Sequence, residues 1–396
     1  MQSQLVAPQR LDYLDAVRAL ALLLGILFHA SLAYLPMFIG WAVMDINTSN
    51  VAGVFALLSH AFRMELFFLL AGFFSAMTMK RRGLRSFIAS RLIRLGVPFL
   101  LGWLILRPLL VSGWEMGAQA MRGDVDILAG LAQGFASMAL LPENLLLGTH
   151  LWFLYYLMLI SMFALAIRGV FAKLRFEYSH ASHLLANLFK CLSSGKGRFW
   201  LLALLTAPVL WFMRSWGVDT PDKSLMPHVP VTLLYAGFFG FGWYLHTVPK
   251  AMDAFSKLSW SNGFLTLVCA IAMIGLSPYE MQAGHEYHSW FKGIFVFACS
   301  LFMWLMVALS IGLCRKLFSK ISGSMRYVAD ASYWLYLVHL PFVVWLQVWV
   351  SEWPVPWFVK WFLVSLITLV IGLLSYHLMV RHSFVGRVLN GPRRSA

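Results

Sequence analysis

Two ionisable residues in the first apolar stretch, Arg18 and His29, are spaced so that they could act together. Eleven steps of about 100° nearly complete three turns, so both lie on one helix face, about 16 Å apart along the axis. Ala21 and Gly25 lie between them, and Asp15, one turn before Arg18, could pair with it. A cation, a narrow groove and an imidazole thus lie in one stripe, and ionisable residues inside a membrane helix are candidates for a functional site. The structural alternative is that small residues let helices approach and the imidazole makes an interhelical hydrogen bond.

The second apolar stretch carries three further ionisable residues, His60, Arg63 and Glu65. His60 and Arg63 are three residues apart and share a helix face, whereas Glu65 points elsewhere in a regular helix. Arginine and glutamate are costly against lipid, so the sequence predicts that both line a polar cavity. A structural ion pair is the alternative for Glu65.

A pair of arginines, Arg91 and Arg94, precedes the third apolar stretch. Guanidinium groups bind phosphates through forked N–H donors, so the pair could clamp a phosphorylated substrate at the membrane surface. The alternative is that both arginines are ordinary basic anchors at the cytoplasmic edge of a membrane helix.

Two more histidines stand among aromatic residues. His150 opens the fourth apolar stretch beside Trp152, and His339 lies midway in the ninth, after Tyr336. Each histidine could act in catalysis or make an ordinary hydrogen bond between helices. The chain has no HExxH zinc motif, no phosphate-binding loop and no serine nucleophile elbow, and we expect no metal site.

The composition indicates that membrane helices position these residues. The 396 residues are 60% hydrophobic and 12% charged, against about 45–50% and 25% in soluble proteins. This excludes a disordered or disulfide-stapled chain, and so much apolar surface does not fit one soluble core. About twenty apolar residues cross a bilayer, and ten segments qualify: 17–38, 53–78, 95–113, 150–170, 199–214, 229–248, 263–278, 290–313, 331–350 and 358–380. The sequence therefore predicts an all-α, polytopic bundle of about ten transmembrane helices, a single domain over residues 1–396.

The net charge of +15 would suggest nucleic acid in a soluble protein, but here its distribution predicts topology. Alternate loops hold most of the basic residues, while the opposite loops hold most of the acids. This positive-inside asymmetry predicts that both termini are cytoplasmic and removes the case for a nucleic-acid partner. The basic loops are 79–94, 171–198, 249–262, 314–330 and the C-terminal tail.

Together these residues resemble the acyltransferase-3 family of integral-membrane acyltransferases, and the likeness covers nearly the whole chain. The matching residues are Arg18 and His29 for the Arg-x10-His motif, residues 67–73 for Phe-Phe-x-x-Ser-Gly-Phe with Ala71 in place of serine, Arg91 and Arg94 for Arg-x-x-Arg, and residues 336–339 for Tyr-Leu-x-His. Within the family the chain is most similar to the members that succinylate osmoregulated periplasmic glucans, through residues 25–31, 60–64, 150–154 and 336–341.

The resemblance implies an O-acyltransferase of the bacterial inner membrane with no permanently bound cofactor. It would transfer a succinyl group from cytoplasmic succinyl-CoA to a periplasmic glucan, and contact with other glucan-biosynthesis proteins is compatible with that role. His29 would be the general base or a covalent acyl carrier, Arg63 or His339 would stabilise the oxyanion, and Arg91 and Arg94 would bind the coenzyme phosphates. Arg63 could also recognise the succinyl carboxylate.

The candidate residues fall into two sets. The catalytic candidates are His29, Arg18, Arg63, Glu65 and His339, and the substrate-binding candidates are Arg91, Arg94, His60, His150, Trp152 and Tyr336. Three other functions remain open at the level of sequence. The protein could transfer an acetyl or other acyl group to a different cell-surface glycan, move a glycan in a proton-coupled transport cycle, or serve as a scaffold. No internal repeat supports a transporter, and a scaffold does not explain the stripe from Arg18 to His29.

Overall fold

Apolar helices make up most of the chain. The computed structural model describes residues 11–140, 150–174, 180–214, 217–222, 224–248, 250–318 and 322–390, and these ranges contain no β-strand. The helices are α1 (Asp12–Ser31), α2 (Asn50–Arg91), α3 (Val97–Ala120), α4 (Ile127–Ala136), α5 (Trp152–Lys173), α6 (His180–Ser194), α7 (Arg198–Trp211), α8 (Val229–Thr247), α9 (Ala251–Phe255), α10 (Trp260–Glu280), α11 (His288–Leu317), α12 (Gly323–Val350), α13 (Trp357–Ser375) and α14 (Phe384–Asn390).

The predicted all-α, polytopic fold is confirmed, and each of the ten predicted segments overlaps a helix, although the first, 17–38, runs past the end of α1 into the loop that follows. Within the described ranges, seven helical stretches are long and apolar enough to cross a membrane. One of them, Asn50–Ala120, contains two predicted segments, between which the backbone is kinked at Gly83 and passes through a π-helical turn at Leu92–Gly96. Helix α7 has only 14 residues. The number of spans and the side of the termini therefore stay predictions, and residues 175–179, 249, 319–321 and 391–396 of the basic loops and tail lie outside the described residues.

Helix α4 is an element that the hydropathy pattern does not predict. It has only 10 residues, too few to span a bilayer, so a search for membrane-length segments passes over it. It packs so closely on α3 that a Cβ added at Gly134 would lie 2.4 Å from the Pro108 carbonyl oxygen. The buried Arg107 of α3 donates hydrogen bonds to the Ser137 carbonyl and hydroxyl at the end of α4.

A reciprocal glycine contact fixes α2 against α8. A Cβ added at Gly72 would lie 1.9 Å from the carbonyl oxygen of Phe239, and one added at Gly242 would lie 1.9 Å from that of Leu69. Small residues at such crossings let helix backbones touch, which is a common way of packing helices in membranes. The glycine of the Phe-Phe-x-x-Ser-Gly-Phe pattern is thus required by packing, and the contact fixes the register of the helix that carries Arg63.

A buried ion pair anchors the loop 35–49, which connects α1 to α2. The Lys360 ammonium lies 2.7 and 2.9 Å from the two carboxylate oxygens of Asp45 and donates to the Ser351 carbonyl at 3.0 Å. Lys360 is fully buried and Asp45 is 4% exposed. Burial raises the pKa of the Asp45 carboxyl, and the hydrogen bonds from Lys360 and from the Asn47 backbone oppose that rise. Loss of either partner would leave the charge of the other buried without its counter-ion.

The glycine contact gives a matched pair of substitutions on α8. Gly242→Ala drives a methyl group into the Leu69 backbone, which cannot move aside cheaply, so we expect a loss of about 1–3 kcal/mol of stability. Gly240 has no heavy atom within 4 Å of an added Cβ, and Gly240→Ala should change stability by less than about 1 kcal/mol. Thermal unfolding in detergent compares the two variants, and equal melting temperatures would contradict the close crossing.

Candidate active site

The two histidines His29 and His339 meet between α1 and α12. His29 Nδ1 lies 3.1 Å from His339 Nε2. The other ring nitrogen of His339, Nδ1, lies 2.8 Å from the Tyr336 carbonyl oxygen and 3.2 Å from that of Leu335. Carbonyl oxygens only accept, so Nδ1 of neutral His339 carries the proton and Nε2 accepts from His29. Neutral His29 is therefore protonated on Nδ1 and holds its lone pair on Nε2.

His29 is accessible although it lies within the bundle. Its neighbours Phe28 and Ala30 are buried, whereas His29 and Gly25, one turn earlier, are only half-buried. Ala21 is fully buried, so it contributes close helix packing, and the open part of the stripe begins at Gly25. A base that is oriented by a second residue and open on one side has the arrangement of general-base catalysis.

Arg63 supplies an uncommitted cation beside this pair. Its guanidinium carbon lies 4.2 Å from the centroid of the Phe28 ring, on which His60 also stacks. Arg63 is 5% exposed, and its Nη1 is buried with no hydrogen-bond partner among the described residues. Its charge acts on both His29 and His339. A buried N–H donor without a partner costs about 1–3 kcal/mol, so this group is available for an anionic ligand.

Glu65 lies apart from His29. It is fully buried, and neither carboxyl oxygen has a hydrogen-bond partner in the described part of the chain. Its charge interacts with Arg63 and with Tyr235 of α8, but no ion pair within 4 Å joins it to Arg63 among the described residues. Glu65 therefore lies near α8, and its place in a polar cavity stays a prediction. His60 is held nearby, with Nε2 2.8 Å from the Val218 carbonyl oxygen.

A proline in α12 creates the binding position for His150. Pro341 has no N–H, so the carbonyl of Leu337, four residues earlier, has no helical partner. His150 takes this acceptor, with its Nε2 2.8 Å from the Leu337 oxygen. The Tyr336 hydroxyl donates to the His150 carbonyl at 2.8 Å, and the His150 and His339 ring centroids are 5.4 Å apart. His150 thus faces the pair, with Nδ1 buried and unpartnered among the described residues.

Trp152, the first residue of α5, packs against α8. Its half-buried ring stacks on Tyr235, with centroids 5.7 Å apart and planes at 25°. Tyr235 in turn stacks on Phe68 at 4.3 Å. The predicted binding residue Trp152 therefore belongs to a stack of aromatic rings. This stack includes Tyr235, which lies near Glu65, and it does not include His29.

The predicted arginines gather at the opposite end of α1. Arg18 donates to Asp15 and, across to α12, to the Ser332 hydroxyl, both at 3.3 Å. Arg94 is close enough to Arg18 and Arg82 for their charges to interact. This concentration of guanidinium groups suits a ligand with several phosphates.

Arg91 and Arg94 are tied into the same end of the bundle. Arg91 interacts with Arg94 and donates a hydrogen bond to the Ser75 hydroxyl of α2. The Tyr333 hydroxyl of α12 donates to the Arg94 carbonyl. A basic residue that only anchors the helix at the membrane surface does not need such contacts. The side chain of Arg91 instead points to Ser75 within the bundle.

Sequence reasoning missed two residues that touch the site, Trp41 and Gln347. Trp41 stacks on His29, with ring centroids 5.8 Å apart and planes at 15°. It also donates from Nε1 to the side-chain oxygen of Gln347 at 2.9 Å. A lone amide in an apolar helix is the signal that could have found Gln347. Trp41 lies in a loop, where periodicity gives no signal.

Comparison with known proteins identifies the family. Residues 11–377 match the family model described as an acyltransferase domain, so the chain belongs to this acyltransferase family. It is 28% identical over 346 residues to the glucans biosynthesis protein C of Escherichia coli O81 (strain ED1a), covering 85% of this chain and 83% of the relative. The protein of that name from Escherichia coli K12 gives the same figures. No solved structure matches the chain. The resemblance predicted from the motifs is thus confirmed.

Proposed function

We propose that this member of the acyltransferase family is an O-acyltransferase of the bacterial inner membrane. In this proposal it transfers a succinyl group from cytoplasmic succinyl-CoA to a hydroxyl of a periplasmic glucan. The observation that carries the proposal is the 3.1 Å contact between His29 Nδ1 and His339 Nε2, which leaves His29 Nε2 to take a proton. The relatives named glucans biosynthesis protein C support a glucan as the acceptor.

The donor would run along α1. The coenzyme phosphates would bind Arg91 and Arg94 together with Arg18, because guanidinium forks match phosphate oxygens. The thin arm that carries the thioester would then pass the half-buried Gly25 and reach His29, about 16 Å from Arg18 along the helix.

In the chemical step the acyl carbon exchanges its bond to the thioester sulfur for a bond to the glucan oxygen. His29 Nε2 takes the proton of a glucan hydroxyl as its oxygen attacks the thioester carbonyl carbon. The carbon–oxygen bond forms, the carbon–sulfur bond breaks, and His29 returns the proton to the departing sulfur, so that the coenzyme leaves as a thiol. The hydrogen bond to His339 orients the imidazole throughout. A covalent acyl intermediate on the same Nε2 would use the same lone pair.

Arg63 would select the acyl group. Its unpartnered Nη1 can donate to the free carboxylate of a succinyl group, which an acetyl group lacks. A site built around such a charged hydrogen bond discriminates strongly against a ligand that cannot make it, because the buried donor is then left unpaired.

The decisive experiment for the proposal uses proteoliposomes. The purified chain is incubated with periplasmic glucan and either succinyl-CoA or acetyl-CoA, and the glucan is weighed by mass spectrometry. A mass gain equal to a succinyl group is expected. Counterflow of glucan without consumption of acyl-CoA would point instead to transport.

The first variant removes the base. We expect His29→Ala to lower succinyl transfer by about 10²–10⁴-fold, the usual contribution of a positioned acid–base group. Release of free coenzyme thiol measures the rate. His183, an exposed histidine on α6, provides the control, and His183→Ala should retain wild-type turnover. Wild-type turnover in the His29 variant would exclude His29 as the base.

A double variant tests the phosphate site. Arg91→Ala combined with Arg94→Ala should weaken succinyl-CoA binding roughly tenfold or more, since hydrogen bonds to charged groups contribute about 1.5–3 kcal/mol each. Isothermal titration measures the affinity. Arg85 is exposed on α2, and Arg85→Ala should bind like the wild type. Unchanged affinity in the double variant would leave both arginines as topological anchors only.

A third variant tests acyl selection. Arg63→Gln keeps a polar side chain but loses the charge, so KM for succinyl-CoA should rise at least roughly tenfold, while KM for acetyl-CoA should change little. Arg63→Lys keeps a charge and should fall between the two. An equal loss with both donors would assign Arg63 to the oxyanion, which both reactions share.

A further inference from the structure

The loop 35–49 covers the His29 end of α1. Trp41 lies nearly parallel to the His29 ring, with centroids 5.8 Å apart. The edge of Trp114 from α3 meets Trp41 at 5.3 Å. One face of the imidazole is therefore covered by an indole ring that belongs to neither α1 nor α12.

Gln347 holds Trp41 and α1 in a single network. Its side-chain oxygen accepts from Trp41 Nε1 at 2.9 Å, and its amide nitrogen donates at 3.0 Å to the carbonyls of His29 and Ala30. The indole nitrogen can only donate and the carbonyls can only accept, so the orientation of the amide is determined. Both halves of this buried amide are used, and they tie the ring of Trp41 to the backbone of His29.

The residues after Trp41 prevent the loop from swinging away. Ala42 and Val43 are buried, and a Cβ added at Gly117 of α3 would lie 2.1 Å from the Ala42 carbonyl oxygen. Four residues after Trp41, Asp45 forms the buried ion pair with Lys360. Trp41 is thus held by packing on one side and by a charged anchor on the other.

We propose that Trp41 is a specificity-determining residue, which closes one face of the His29 ring to water and leaves only the exposed edge for the glucan hydroxyl, so that the acyl group passes to that hydroxyl. The proposal rests on the proposed function. Without the indole, His29 Nε2 would take a proton from water, and the water oxygen would attack the thioester carbonyl carbon. The carbon–sulfur bond would break and the proton would pass to sulfur, giving the free acid and the coenzyme thiol. Exclusion of water is a common need of sites that handle reactive acyl groups.

The test compares hydrolysis with transfer in the full-length protein in detergent. Thiol release from succinyl-CoA is measured without and with periplasmic glucan, and ¹⁸O-labelled water reports incorporation into succinate. We expect Trp41→Ala to raise the ratio of hydrolysis to transfer at least tenfold, whereas Trp41→Phe keeps a covering ring and stays near the wild type. Trp349 is 55% exposed on α12, and Trp349→Ala serves as the matched control.

Two further variants make the outcome decisive. His29→Ala in the Trp41→Ala background should abolish the new hydrolysis, because that reaction uses the same base. If the alanine variant fails to insert into the membrane, Trp41→Leu takes its place. Because leucine keeps apolar volume, its ratio of hydrolysis to transfer should rise by less than the tenfold expected for alanine. A parallel loss of transfer with no rise in hydrolysis would overturn the proposal and make Trp41 a packing residue. A wild-type protein that releases no thiol even with glucan would instead overturn the proposed function.

Discussion

The hydrogen bond between His29 and His339 depends on one proton whose position the backbone decides. Two carbonyls of α12 hold that proton on His339 Nδ1, and the rest of the arrangement follows from it. The acceptor nitrogen of His339 faces α1, the Nδ1 proton of His29 is donated to it, and a lone pair remains on His29 Nε2. The orientation of the proposed general base is therefore set by the helical turn that carries His339, and no carboxylate takes part in the contact.

Buried polar groups in this bundle fall into two classes. In the first class are Lys360, Gln347 and Arg107. Their N–H groups donate to acceptors of the protein and so connect different helices and loops. Arg63 and Glu65 keep buried polar atoms without partners among the described residues. Each unpartnered group costs folding stability, by about 1–3 kcal/mol in a dry site. The unpartnered donor of Arg63 lies beside the histidine pair, where a substrate of the proposed reaction would supply its partner.

Hydropathy predicted the helices because membrane length requires about twenty apolar residues. The same criterion missed α4, which is shorter and packs through Gly130 and Gly134. The 3.6-residue period placed Arg18 and His29 on one face, but a period identifies a face and not what packs against it. The contact from His29 to His339 spans 310 residues, and only tertiary packing reveals it. Trp41 was beyond prediction for a related reason, since loop residues follow no period.

Pro341 contributes to the site by what it lacks. Any other residue at that position would bring an N–H that returns to the Leu337 carbonyl, and His150 would lose its acceptor. The proline has no side-chain polar atom, yet it determines which oxygen of α12 is free to receive an imidazole from another helix. A proline in a membrane helix can thus act through the N–H that it lacks, because a backbone carbonyl is then free to accept a hydrogen bond from another helix. The apolar Pro341 is for this reason as important for the position of His150 as the hydrogen bond that His150 makes.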